Sequence, residues 1–152
     1  MKFFEWITEN GKRVRFAYFF PDEFCIDKKS VRMDADIRMI AVIRNTILVV
    51  TEHDDLKKMD YERQPPFEGE NLFAFDTDGN ILWRSKDLIS TSEAAFEAVC
   101  LFGELDKLGK ENIFWGDLKP DHDYCLCVNA NDRRFLVDLT ENKFLWSRLE
   151  RW

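Results

Sequence analysis

The first residues with a spacing suited to chemistry form an alternating acidic pattern. Asp76, Asp78 and Asn80 occupy positions one, three and five of an EF-hand calcium loop, and Asp87 occupies position twelve. Position six is Ile81, where such a loop requires glycine, and apolar strand-like segments flank the pattern in place of helices. A hairpin turn accounts for the same residues. We therefore expect a turn here rather than a calcium loop.

A second group combines a histidine with two thiols. His122 precedes Cys125 and Cys127, which are two residues apart and would point the same way on a strand. Structural zinc takes four ligands, commonly in Cys-x-x-Cys pairs, and no second pair is present. The remaining ligands would have to come from His53, Cys25 or Cys100. The sequence therefore predicts reduced core cysteines and no metal or other cofactor.

Nucleophilic catalysis needs a nucleophile, a base and a group that orients the base. The chain has only two histidines, His53 and His122, and it has no Gly-x-Ser-x-Gly elbow and no phosphate-binding glycine loop. We therefore expect no catalytic residues and no enzyme. The alternative is a small enzyme with a pocket around His122, together with Asp121, Asp123 and Cys125.

The remaining candidates are acidic and suit the binding of a basic protein. Charge complementarity speeds the encounter of two proteins and selects among partners. The same acids, taken singly, are also explained by solubility. The candidate partner-binding residues are Asp54, Asp55, Asp60, Tyr61, Glu62, Asp76, Asp78, Asp121 and Asp123.

Length and charge limit the class of protein. The 152 residues suit a single domain spanning 1–152, and 22 basic against 29 acidic residues give a net charge of −7. An acidic chain is a poor match for a nucleic-acid backbone. No apolar run is long enough for a membrane span, and no secretory signal is visible. We therefore expect a cytoplasmic protein with reduced thiols, as a monomer or weak homodimer, without nucleic acid or membrane as partners.

The elements that must position these residues are mostly hairpins. Strands are predicted at 3–7 and 14–18 around Asn10-Gly11, with a loop over 27–36. The apolar stretch 37–51 predicts two strands around Arg44-Asn45, or one long bulged strand, covered on both faces. A long polar connection spans 52–71. Ser90 and Glu93 have capping-box spacing, so a helix is predicted at about 92–108, and strands return after it.

The clearest hairpin has an echo later in the chain. Phe73-Ala74-Phe75-Asp76 aligns with Phe135-Leu136-Val137-Asp138, about 62 residues on, and the following Ile81–Arg84 aligns with Phe144–Ser147. Turn chemistry alone could also produce such similarity. The segment Asn71–Trp83 resembles a blade hairpin of quinoprotein-like propellers. It is more similar still to small single-domain bacterial proteins of undefined activity, some of which resemble immunity proteins that neutralise a toxin. The later element 138–143 lacks the glycine of their pattern.

These observations predict an α+β fold, mainly an antiparallel β-sheet built from hairpins, with one packed helix at about 92–108. The resemblance implies a bacterial immunity protein of a toxin–antitoxin pair. It would act as a non-enzymatic protein-binding module that blocks a basic toxin domain with its acidic surface. The other alternative is a structural or accessory subunit that self-associates through 144–152. The sequence leaves open whether Trp83, Trp115, Trp146 and Trp152 are core or surface.

Overall fold

The first of three sheets comprises the N-terminal strands of the chain. The computed structural model describes residues 2–8, 10–19, 21–52, 69–89, 95–101, 118–119 and 121–149. The strands β1 (Lys2–Ile7), β2 (Arg13–Phe19), β3 (Glu23–Ile26) and β4 (Lys29–Arg32) pair in chain order, each antiparallel to the next. The predicted first hairpin is confirmed, with Gly11 at φ 79° in its turn. Buried Val14 and Phe16 alternate with exposed Arg13 and Arg15, which gives this sheet one apolar face.

The loop predicted over 27–36 is wrong for its central part, because β4 lies there. Its residues are mostly exposed, and it is an edge strand that pairs with β3, for example Ser30 opposite Cys25. A solvent-facing edge strand needs no apolar pattern. The polar composition of β4 therefore led to the prediction of a loop.

The second sheet contains β5 (Ile37–Ile43), β6 (Thr46–Thr51), β7 (Leu72–Phe75) and β8 (Ile81–Arg84), again antiparallel and in chain order. The prediction of two strands around Arg44-Asn45 is confirmed. All six residues of β6 are buried, as a strand covered on both faces requires. The four-residue helix α1 (Ser85–Leu88) follows β8.

The third sheet corrects the predicted fold class. Its strands are β9 (Phe96–Leu101), β10 (Tyr124–Asn129), β11 (Arg133–Asp138) and β12 (Lys143–Leu149), in the order β12-β11-β10-β9. The helix at about 92–108 is wrong where the structure describes that range, since 96–101 is a strand; 92–94 and 102–108 lie outside the described residues. The α+β class is likewise wrong, because the described residues form antiparallel β-sheet with one short helix.

The error at β9 has a physical cause. A short apolar run can satisfy either the helical or the strand period. Here the strand forms because the segment pairs with β10, with Val99 opposite Cys127, and because it packs in the core against the second sheet.

The three sheets stack as layers around two cores. Ile47 and Val49 of β6 face the first sheet and join Val14, Phe16 and Phe24. The alternate residues of β6 face the third sheet, in a core that includes Leu48, Val50, Phe96, Val99, Cys125, Cys127 and Phe135. A further cluster of Tyr124, Leu126 and Leu136 lies on the opposite face of the third sheet. The second sheet is therefore the central layer.

The echo noted in the sequence corresponds to equivalent places in two sheets. Phe73–Asp76 and Phe135–Asp138 each form the third strand and the aspartate that begins the turn to the fourth. The first sheet has the same arrangement in Phe24–Asp27, which the sequence comparison missed. Each of the three described sheets is thus a four-stranded meander with a phenylalanine and, three residues on, an aspartate at the end of its third strand.

The described tryptophans divide between core and partial exposure. Trp83 is buried in the core between the second and third sheets, and its Nε1–H donates to Asn142 Oδ1 at 3.2 Å. Trp146 is partly buried against the cluster on the opposite face of the third sheet. Trp115 and Trp152 lie outside the described residues. Within those ranges no helix combines the length and apolarity that crossing a membrane requires.

Candidate functional site

One end of the sheet stack collects most of the described candidate residues. It contains the turns β1–β2 (8–12), β3–β4 (27–28), β5–β6 (44–45), β7–β8 (76–80) and β11–β12 (139–142), together with the segment 118–123. We call this the turn end. Side chains link its turns across sheets: Trp6 Nε1–H donates to Arg44 O at 3.1 Å, and Lys29 Nζ donates to Asn80 Oδ1 at 3.2 Å.

Asp76 and Asp78 both lie in the β7–β8 turn. Asp76 Oδ1 accepts the backbone N–H groups of Asp78 and Asn80, each at 2.9 Å, which is the Asx-turn chemistry expected of a hairpin. Asp78 forms an ion pair with Lys12 of the β1–β2 turn. That contact raises the pKa of Lys12 above its usual value, chiefly through the hydrogen bond to Asp78. The predicted hairpin is confirmed, and its Asp78 carboxylate joins the first sheet to the second.

Asp121 and Asp123 lie in the segment that enters β10. Asp123 Oδ1 is 3.1 Å from Arg44 Nε, and the Asp123 N–H donates to Thr140 Oγ1 at 2.8 Å. Asp121 is exposed. The structure therefore brings Asp123 to the β5–β6 turn and the β11–β12 turn, whereas Asp121 faces solvent.

His122 and Asp138 form a largely buried pair at the same end. His122 Nδ1 lies 2.7 Å from Asp138 Oδ2, and their side chains are 11% and 4% exposed. Asp138 Oδ1 also accepts the N–H groups of Thr140 and Glu141 at 2.9 and 3.0 Å. Burial opposes ionisation of Asp138, but these hydrogen bonds outweigh it and hold its pKa below the usual value. A carboxylate that orients a histidine in this way is suited to metal binding or proton transfer.

Sequence reasoning did not connect His122 with Asp138. The two residues are sixteen positions apart and meet because β10 and β11 are antiparallel neighbours, with Tyr124 opposite Asp138. The alignment of Asp138 with Asp76 at the start of a turn was the one signal available in the sequence.

The two neighbouring thiols lie on the other face of the third sheet. Cys125 and Cys127 are fully buried in the core against the second sheet, with their Sγ atoms 3.8 Å apart. The prediction that Cys125 and Cys127 share a face is confirmed, and Cys25 is half-buried. Tyr124 faces the side of the third sheet opposite to Cys125, and its ring stacks on His122. The structure therefore does not bring Cys125 to His122.

The other predicted partner-binding residues lie outside the described residues. They are Asp54, Asp55, Asp60, Tyr61 and Glu62 of the long connection between β6 and β7. The residues on either side of this connection form backbone hydrogen bonds. The Thr51 N–H donates to Asn71 O at 2.9 Å, and the Glu52 N–H donates to Asp36 O at 2.7 Å. Both ends of the connection are therefore held by backbone hydrogen bonds, at Asn71 just before β7 and at Asp36 just before β5.

Two connections of the chain are acidic. Residues 53–68 hold five acidic and three basic residues, a net charge of 3 − 5 = −2, and residues 102–117 hold four acidic and two basic residues, a net charge of 2 − 4 = −2. Together they carry −4 of the chain's net charge of −7.

Comparison with known proteins identifies a family but no activity. A family model described as "Domain of unknown function (DUF7957)" matches residues 19–100, more than half of the chain. The match runs from the end of β2 into β9 and includes the connection 53–68. No curated protein and no solved structure gives a significant match.

Proposed function

The chain belongs to the DUF7957 family of domains of unknown function, and we propose that it is a non-enzymatic module that binds a basic protein. In its specific form it is a bacterial immunity-type protein that neutralises a toxin domain. We place the protein in the cytoplasm, where cysteine thiols stay reduced. It acts as a monomer or weak homodimer.

The distribution of charge carries this proposal. The connections 53–68 and 102–117 carry −4 of the net charge of −7, whereas acids at the turn end engage cations of the same chain, as in the pairs Lys12–Asp78 and Arg44–Asp123. Such carboxylates hold turns together and are poorly suited to meet a partner. The excess acids lie in the connections, and Asp54, Asp55, Asp60 and Glu62 are concentrated in one of them. Both connections have a net charge of −2, and we assign the attraction for a basic surface to 53–68 because these four carboxylates lie within nine residues.

The second sheet holds the residues at both ends of the connection 53–68. Its central strand β6 is buried along its whole length, and the connection 53–68 begins two residues after the last residue of that strand. Glu52 and Glu70, which flank the connection, pair with Arg38 at 3.3 Å and Arg84 at 3.9 Å. A segment anchored at both ends on a rigid sheet loses less conformational freedom on binding than a free tail.

The mechanism is occlusion rather than catalysis. Carboxylates of the connection pair with Lys or Arg side chains of the toxin site, and Tyr61 provides an aromatic anchor. Long-range attraction of this kind is screened by salt. The complex therefore forms more slowly as ionic strength rises.

The experiment is co-expression with the polypeptide encoded by the neighbouring gene. If that polypeptide is toxic alone, this chain restores growth. The triple variant Asp54→Ser, Asp55→Ser and Asp60→Ser restores growth less well, because the attraction to the basic site is weakened. The complex is then measured with purified proteins at low and moderate salt.

A matched control separates local charge from total charge. The control variant Asp34→Ser, Asp36→Ser and Asp87→Ser also removes three negative charges, but from exposed positions of the described residues. This variant rescues like the original chain. Equal rescue by both folded variants would remove the connection from the mechanism, and a neighbour that is not toxic and does not bind would overturn the proposal.

A further inference from the structure

Three side chains at the turn end bring one nitrogen and two carboxylate donors together. They are His122 of the segment before β10, Asp138 at the end of β11, and Glu141 in the turn that follows. Their ligand atoms all lie within 4.8 Å of one another. Small side-chain rotations therefore suffice for the three to converge on one ion.

Two of these side chains are already held in place. The Asp138 carboxylate is oriented by the N–H groups of Thr140 and Glu141, so the turn that fixes Asp138 also carries Glu141. The His122 ring packs near the Tyr124 ring, with centroids 6.2 Å apart and planes 24° apart. The Tyr124 hydroxyl in turn accepts the Lys119 N–H at 2.8 Å. His122 and Asp138 therefore have little conformational freedom left to lose when a ligand binds.

The donor set selects the kind of ion. One imidazole and two carboxylates suit zinc and similar divalent transition metals, whereas calcium prefers six to eight oxygen ligands. Asp121 and Asp123 add negative charge in the same segment, although Asp123 pairs with Arg44. Lys119 Nζ, 3.7 Å from Glu141 Oε1, is the cation that a metal would displace.

We propose that His122, Asp138 and Glu141 bind one zinc ion, which ties the segment 118–123 to the β11–β12 turn. The ion takes the place of the hydrogen between His122 Nδ1 and Asp138 Oδ2, and the ring proton moves to Nε2. These two atoms must separate from 2.7 Å to about 3.3 Å, the spacing of two ligands on tetrahedral zinc. The site goes beyond the proposed function and does not rest on it, since His122 and Glu141 lie outside the connections that carry the excess charge.

The test is calorimetric titration of ZnCl₂ into the full chain after treatment with a chelator. One zinc binds per chain and raises the melting temperature, because the ion binds the folded state. Glu141→Gln changes an exposed turn residue without disturbing the core and weakens binding by about tenfold or more. His122→Ala abolishes it. Lys119→Ser tightens it, since zinc no longer competes with the ammonium group for Glu141.

Asp121→Asn is the control, because it removes a neighbouring carboxylate that is not part of the donor set; zinc binding changes only slightly. Cobalt provides a second readout. The Co²⁺-loaded chain shows no thiolate charge-transfer absorption, as expected of nitrogen and oxygen ligands. Absence of zinc binding, full binding by folded Glu141→Gln, or a thiolate band that places the metal on cysteines would each overturn the proposal.

Discussion

The side-chain amide of Asn71 forms a two-point hydrogen-bonded pair with the backbone of Phe96. Asn71 Nδ2 donates to Phe96 O at 2.7 Å, and the Phe96 N–H donates to Asn71 Oδ1 at 2.9 Å. The same Nδ2 also donates to Thr51 O at 3.0 Å. Asn71 is 1% exposed. One buried side chain thus holds the start of β9 against the end of β6 and the start of β7, and so joins the third sheet to the second.

Replacing Asn71 by Ala is expected to destabilise the fold by about 2–4 kcal/mol, because backbone groups of Phe96 and Thr51 lose their partner while remaining buried. Chemical denaturation followed by tryptophan fluorescence measures the change. Asn45→Ala is the control, since Asn45 is exposed in the β5–β6 turn; its effect is below about 0.5 kcal/mol. Equal effects of the two variants would contradict the role given to Asn71.

The Asp138 carboxylate makes stability depend on pH. Its hydrogen bonds outweigh the effect of burial and leave its folded-state pKa lowered. The ionised form therefore stabilises the protein above the unfolded pKa of about 3.9, and this contribution disappears as pH falls towards the lower folded value. Asp138→Asn is expected to cost about 1.5–3 kcal/mol at neutral pH and less below about pH 4.

The measurement for Asp138 is the free energy of unfolding of both forms over this pH range. Asp121→Asn is the comparison, because Asp121 is an exposed carboxylate of the same turn end. Its effect stays below about 0.5 kcal/mol. An Asp138→Asn penalty that does not change between neutral and acid pH would show that the ionised state is not what stabilises the turn.

Gly79 and Gly11 provide a matched pair of turn substitutions. Their φ angles are 82° and 79°, so alanine at either position costs about 1–2 kcal/mol of backbone strain. A Cβ at Gly79 would also lie 2.9 Å from Lys29 Cδ, whereas nothing lies within 4 Å at Gly11. Because Lys29 is an exposed, flexible side chain that can move aside, the two alanine variants are expected to lower the melting temperature by similar amounts in thermal unfolding. A clearly larger loss for Gly79→Ala would show that Lys29 is held against the turn.

The buried thiols are expected to resist modification. Cys125 and Cys127 are fully buried, and a disulfide reagent reaches a buried thiol only when the core opens. A Cys25→Ser, Cys100→Ser variant leaves these two thiols alone. It incorporates no reagent in native buffer and two equivalents after denaturation. Rapid labelling of the native variant would contradict the packing of β10 against the second sheet.

Several local features followed from the sequence because they depend on near neighbours. The hairpin turns at Asn10-Gly11, Arg44-Asn45 and Asp76–Asn80 were recognisable because few residue types suit turn geometry. The continuous apolar run of β6 also indicated a strand covered on both faces. In each case the information lay within about ten residues of the chain.

The tertiary structure decided what depends on partners distant in sequence. Residues 96–101 fit a helix by periodicity and became β9 because β10 pairs with them and Asn71 binds the backbone of Phe96. Edge strand β4 formed from polar residues because pairing with β3 satisfied its backbone. His122 met Asp138 only because β10 and β11 are neighbours. The sequence by itself determined the turns, the buried central strand and the net charge; the pairing of distant strands decided the fold class and assembled the His122–Asp138 pair, because hydrogen bonding and burial between strands outweigh weak local preference.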